Sequence, residues 1–129
     1  MTPLARAICL AASTLLPLTA ASAQAQPDLQ LACDGGLASP LCRSVASVLA
    51  EAVGPVTLAP ELAPGRTGLR LMTDSQGRDV LSAHIAWQTA DGRHGTGPVL
   101  TLSVMDADLT PAMFDRFAVE MLRHSGLPL

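Results

Sequence analysis

Apolar positions along this chain change their spacing several times, and each change marks a predicted element. A largely apolar run from Ala7 to Leu18, broken near its end by Pro17, comes first. Leu41, Val45, Val48, Leu49 and Val53 then recur at three- and four-residue intervals, the spacing of one face of a helix. Ser39-Pro40 supplies a helix start, with serine as the cap and proline in the first turn, and Gly54-Pro55 supplies the stop. The spacing therefore predicts a helix over about residues 40–53. Val56-Thr57-Leu58 fits a short strand, and Pro60, Pro64, Gly65 and Gly68 make the stretch after it a loop.

From Leu69 the period becomes two. Leu69 and Leu71 alternate with Arg70 and Met72, and Asp74-Ser75-Gln76-Gly77 reads as a turn. In the next strand Leu81, Ala83, Ile85 and Trp87 share one face, while Val80, Ser82, His84, Ala86 and Gln88 share the other. Asp91-Gly92 opens a second turn, which Gly95, Thr96, Gly97 and Pro98 extend into a loose hairpin loop. Leu100, Leu102 and Val104 alternate with Thr101 and Ser103. A last helix starts at Thr110-Pro111, carries Phe114, Phe117, Ala118, Met121 and Leu122 as its apolar stripe, and ends at Gly126 and Pro128. The order is α-(β)-β-β-β-α. It predicts an α+β fold of two layers: an antiparallel three- or four-stranded β-meander with two helices packed on one face.

The apolar run changes what counts as the domain. It follows a short start bearing Arg6 and leads to Ala21-Ser22-Ala23, small residues at the positions a signal peptidase reads. At this length it is short of the roughly 20 apolar residues needed to span a bilayer. Residues 1–23 are thus expected to be a secretory signal peptide cut after Ala23, with cleavage after Ala25 the near alternative. Residues 24–32 are expected to be a linker or tail, and residues 33–129 a single α+β domain. There is no Arg-Arg pair, so the Sec route is expected rather than the twin-arginine route, placing a bacterial protein in the periplasm or outside the cell. No transmembrane segment is expected once the leader is removed.

The cysteines agree with export. Cys9 belongs to the leader, and Cys33 and Cys42 remain as an even pair, expected to form a disulfide. Their spacing is not CxxC and no histidine lies nearby in sequence, which argues against redox and zinc chemistry.

Composition narrows the function classes. The chain has 129 residues, is 49% hydrophobic and 15% charged, and has a formal net charge of −3. Lys, Asn and Tyr are absent, so all 8 basic residues are Arg. That removes the phosphate-loop lysine, the Schiff-base lysine and the N-glycosylation site. An acidic chain with Trp87, Phe114 and Phe117 as its aromatics and no basic run is not expected to bind nucleic acid. GxSxG, HExxH, CxxCH and EF-hand patterns are all missing.

The remaining polar candidates are few. His84 lies on the polar face of the clearest strand, with Gln88 four residues on. Arg93 and His94 occupy the predicted hairpin tip, where they can meet an acidic partner. Asp106 and Asp108, spaced i, i+2 before the last helix, are weak candidates for a hard cation, with helix-dipole stabilisation as the simpler account.

The reading that follows is a small exported, non-catalytic accessory or binding protein. It would need no cofactor and would act on another envelope protein through the uncovered sheet face around Arg70, Ser82, His84, Gln88, Thr101 and Ser103, or through a sheet edge. The alternatives are a small metal-assisted hydrolase using His84, Asp106 and Asp108, and a carrier holding a small apolar ligand among Met72, Met105, Met113 and Met121. The intact mass of the exported protein should lack residues 1–23 and should not rise on alkylation under native, non-reducing conditions. Retention of Met1, or addition of two alkyl groups to the folded chain, contradicts both expectations.

Overall fold

The computed structural model describes residues 29–128. The expected leader, its cleavage site and the first residues of the expected linker lie outside the described residues. The described chain is α+β, with two helices packed together over one open, mostly antiparallel sheet. Its elements are β1 (Leu29–Cys33), α1 (Pro40–Val53), β2 (Val56–Leu58), β3 (Gly68–Gln76), β4 (Val80–Gln88), β5 (His94–Thr96), β6 (Leu100–Ser103) and α2 (Pro111–His124).

Both helices form where the spacing put them. Ser39 caps α1 by accepting the Cys42 amide at 3.2 Å, and Pro40 stands in the first turn. Thr110 makes no matching side-chain cap. The start of α2 is held by backbone instead: Leu109 N–H donates to Arg78 O at 3.1 Å, docking the approach to the helix on the β3–β4 turn. Arg123 and His124 fall in the last turn of α2, where positive charge suits the dipole.

The sheet is larger than the expected meander. Its order is β2-β1-β3-β4-β5, with β6 also pairing β4. The β3–β4 hairpin and both of the short strands after it are antiparallel, as expected. The correction is at the amino end. Residues 29–32, expected to be the end of a tail, belong to β1, which pairs in parallel with both β2 and β3. All five residues of β1 are buried. Leu29, Leu31 and Cys33 join the core shared with Leu41, Val45, Leu49, Leu69, Leu71 and Ile85. The polar Gln30 is buried because its side-chain oxygen accepts the Ala63 amide at 2.9 Å. A second correction concerns the hairpin loop: His94–Thr96 is a strand that pairs with Ala86–Gln88, ahead of the break at Gly97-Pro98-Val99.

The expected disulfide is present. Cys33 at the end of β1 is bonded to Cys42 in the first turn of α1. It closes a short loop worth about 2–3 kcal/mol in the chain-entropy description, and it fixes where α1 leaves the sheet.

The far end of the sheet is closed by Trp87. Its indole N–H donates to Ser125 O at 2.9 Å and its ring lies over Gly95, where a Cβ would come within 2.5 Å of the ring. Gly97 lets the sheet edge pass close to the Ser125 backbone in the same way. On the helix face Leu31 is fully buried at the middle of β1. Leu31→Ala should lower stability by about 2–5 kcal/mol in denaturant unfolding. A loss under 1 kcal/mol would mean that β1 is not the packed centre of this sheet.

Candidate functional site

Because both helices cover one face, the opposite face of the sheet is where polar side chains gather. Alternation along β3 and β4 puts Arg70, Met72, Ser82, His84, Ala86 and Gln88 there, and β6 adds Thr101 and Ser103. Residues 59–67 cross part of this face. Ala63 is held from below by Gln30, and Gln88 Nε2 donates to Ala63 O and to Arg66 O, each at 2.9 Å. The approach is close at Gly68, where a Cβ would meet Leu62 at 2.7 Å. Gln88, a candidate binding contact by sequence, thus spends its amide on holding this loop.

The uncovered remainder carries three side-chain pairs. His84 Nδ1 lies 2.7 Å from Asp74 Oδ2, with the histidine side chain 15% exposed and the aspartate more open. Ser82 and Thr101 hydroxyls lie 2.8 Å apart across β4 and β6. Arg70 Nε faces Asp34 at 3.9 Å. The His84 pair depends on an irregularity. Thr73 pairs with Ala83 and Ser75 with Ser82, so Asp74 is the extra residue of a bulge in β3. The bulge turns Asp74 toward His84, a placement that simple alternation does not produce. Sequence reasoning missed Asp74 for that reason, assigning it to a turn.

Gln88, Arg93 and His94 come together at the end of β4, lining a cleft of about 470 Å³ with Pro64, Gly65, Asp91 and Gly92. Gln88 and His94 are cross-strand partners. Arg93 Nε faces Asp91 Oδ2 at 3.2 Å, and the Thr89 hydroxyl also donates to Asp91. These contacts hold the Asp91 carboxyl below the ordinary aspartate range, with the Thr89 hydroxyl bond the largest cause and the Arg93 charge next among those that lower it. His84 does not line this cleft.

Asp106 and Asp108 line a different cleft, of about 420 Å³, with Arg78 and Asp79. Arg78 Nε lies 3.4 Å from Asp108 Oδ1. Asp106 takes a left-handed backbone, φ 56°, which aspartate tolerates in turns. Among the described residues no three histidine, cysteine or acidic side chains are grouped as a metal site would require. His84 does not face Asp106 and Asp108 across this cleft. The four methionines of the carrier reading are dispersed: Met72 on the open face, Met105 91% exposed, Met113 half-buried and Met121 in the core.

A fourth polar pair was not legible in the sequence. Ser44 on α1 donates to Asp115 on α2 at 2.7 Å, tying the amino-terminal halves of the two helices beside a cleft of about 460 Å³ that Arg43, Leu109 and Phe114 also line. Among the described residues no helix is long and apolar enough to cross a membrane.

No protein-family model and no curated protein matches the chain. Among solved structures, a minor lipoprotein from Acinetobacter baumannii aligns with 76% of this chain and 91% of its own length, at 16% identity and a TM-score of 0.36. An overlap that loose transfers neither fold nor function.

The depressed Asp91 pKa has a stability consequence with a definite sign. A carboxyl whose folded pKa lies below its unfolded value stabilises the fold above the unfolded pKa, and the gain is lost as pH falls through the folded one. A carboxylate titration by NMR should place the Asp91 midpoint below that of an unstructured aspartate, and Thr89→Val should raise it. An unchanged midpoint in that variant would remove the hydroxyl as the cause.

Proposed function

We propose that the protein is a small exported, non-catalytic accessory or binding protein of the bacterial envelope, periplasmic or secreted, which engages another envelope protein through the open face of its sheet. Three lines support this reading. The leader pattern at residues 1–23 is that of an exported chain. The Cys33–Cys42 disulfide suits an oxidising compartment. The observation that carries the mode of action is the open face itself. His84–Asp74 and Ser82–Thr101 are pre-paired at hydrogen-bond distance, and Arg70 lies near Asp34, on a surface the helices leave uncovered.

Such a surface suits protein recognition more than catalysis. The side chains are already held in position, so a partner meets them at a low ordering cost. They are spread along neighbouring strands rather than gathered in one enclosed pocket, the form small-molecule sites take. Asp74 engages Nδ1 of His84, which fixes the orientation of the ring on this face.

The test is photocrosslinking in the native compartment. A photoreactive residue replaces Arg70, Met72 or Ala86 on the open face, or Ala50 or Ala112 on the exposed helix surfaces. Discrete adducts of one mass from the open-face positions, absent from the helix positions, are the expected result. Adducts confined to the helix positions, or the protein retained in the cytoplasm with its leader, would overturn the proposal.

A further inference from the structure

The edge of the sheet at β6 carries a pattern of its own, separate from the open face. Val104 N–H donates to Asp79 O at 2.9 Å, and Leu102 and Leu100 stand opposite Leu81 and Ala83 in the same register. Backbone groups alternate in direction along a strand, so Thr101 and Ser103 turn their N–H and C=O groups away from β4 and outward. Val99 just before this strand and Met105 in the bend after it are 56% and 91% exposed. Beside it, Leu102, Val104, Met113 and Phe117 line an apolar groove of about 330 Å³ between β6 and α2. Arg116 and Glu120 sit on its rim with opposite charge. Arg116 has no ion-pair partner among the described residues, whereas Glu120 is within 3.4 Å of Arg123 and 3.5 Å of His124 on its own helix.

The sequence Val99-Leu100-Thr101-Leu102-Ser103-Val104-Met105 is a chemical palindrome about Leu102. Laid antiparallel against a second copy, it sets Leu102 against itself and Thr101 against Ser103 of the other copy. Leu100 then meets Val104, just past the end of the strand. The Thr101 and Ser103 pairs are the ones whose backbone groups point outward, so their N–H and C=O groups close a ladder across the two-fold axis. Such a pair would run the two copies of α2 in opposite directions, with the oppositely charged Arg116 and Glu120 rims of the two grooves turned toward each other. One surface satisfies both sides, as an isologous interface requires.

From this geometry we infer that the chain forms a two-fold dimer by antiparallel pairing of β6 with β6 of a second copy, joining two sheets into one and merging the two apolar grooves. The surface is the sheet edge rather than its open face, so this inference and the proposed function stand or fall separately.

Sedimentation equilibrium of the exported, disulfide-intact protein at up to about 100 µM tests it. A reversible dimer is expected. Arg116→Glu and Glu120→Arg each place like charges across the axis and should weaken the dimer roughly tenfold, since each change is felt twice by symmetry. The double variant R116E/E120R should restore it to within about threefold. Ser103→Pro removes an outward N–H without touching the bonds to β4, and should give a monomer with unchanged circular dichroism. If that variant does not fold, the charge reversals decide alone, because both positions are exposed. A wild-type monomer at every concentration, or a dimer indifferent to both single reversals, overturns the inference.

Discussion

A strand of five residues that water does not reach sets the terms for the rest of this fold. β1 lies between β2 and β3, with both of its backbone edges paired and both of its faces covered. Buried backbone groups must find partners, and a strand buried on two faces needs a layer on each side. α1 and α2 form one layer. The other is the loop over Gln30, fastened by hydrogen bonds from Ala63 and to it. Parallel pairing on both sides also demands crossover connections, and α1 supplies the first of them. The disulfide from the end of β1 to the start of α1 keeps that crossover short.

The open face owes its character to local departures from regularity. The bulge at Asp74 bends the β3 register so that a carboxylate reaches His84. The close passage at Gly68 brings residues 59–67 over one end of the sheet and leaves the other end bare. The result is a surface divided in two: a covered part where Gln88 serves the fold, and an uncovered part where His84, Ser82 and Thr101 are presented in fixed positions. Binding surfaces built on a rigid sheet lose little freedom on association. That property links the packing of the core to the function proposed for the face opposite it.

The outer edge reflects a compromise. β5 and β6 together flank β4, but Gly97-Pro98-Val99 divides them, and a short, interrupted edge resists indiscriminate pairing. What stays pairable is a single stretch whose side-chain order reads the same in both directions. In such a pairing a slip of one residue would turn the apolar side chains away from the groove.

The helices, the long hairpin and the disulfide were legible in the linear sequence because each rests on local rules. The 3.6-residue spacing and Ser39-Pro40 define α1, strict alternation defines β4, and the pair of cysteines left once the expected leader is set aside points to the bond. β1 was not legible. Its alternation is brief, and Gln30 looks like a surface residue until an amide 33 positions away is placed against it. The partnership of His84 with Asp74 depends on a bulge, and the meeting of Ser44 with Asp115 depends on two helices 71 residues apart in sequence coming side by side. The chain alone thus determined which segments coil or extend and where it is clamped. Packing in three dimensions decided which polar groups meet in pairs and which surface is left uncovered, because those outcomes depend on partners that sequence spacing does not bring together.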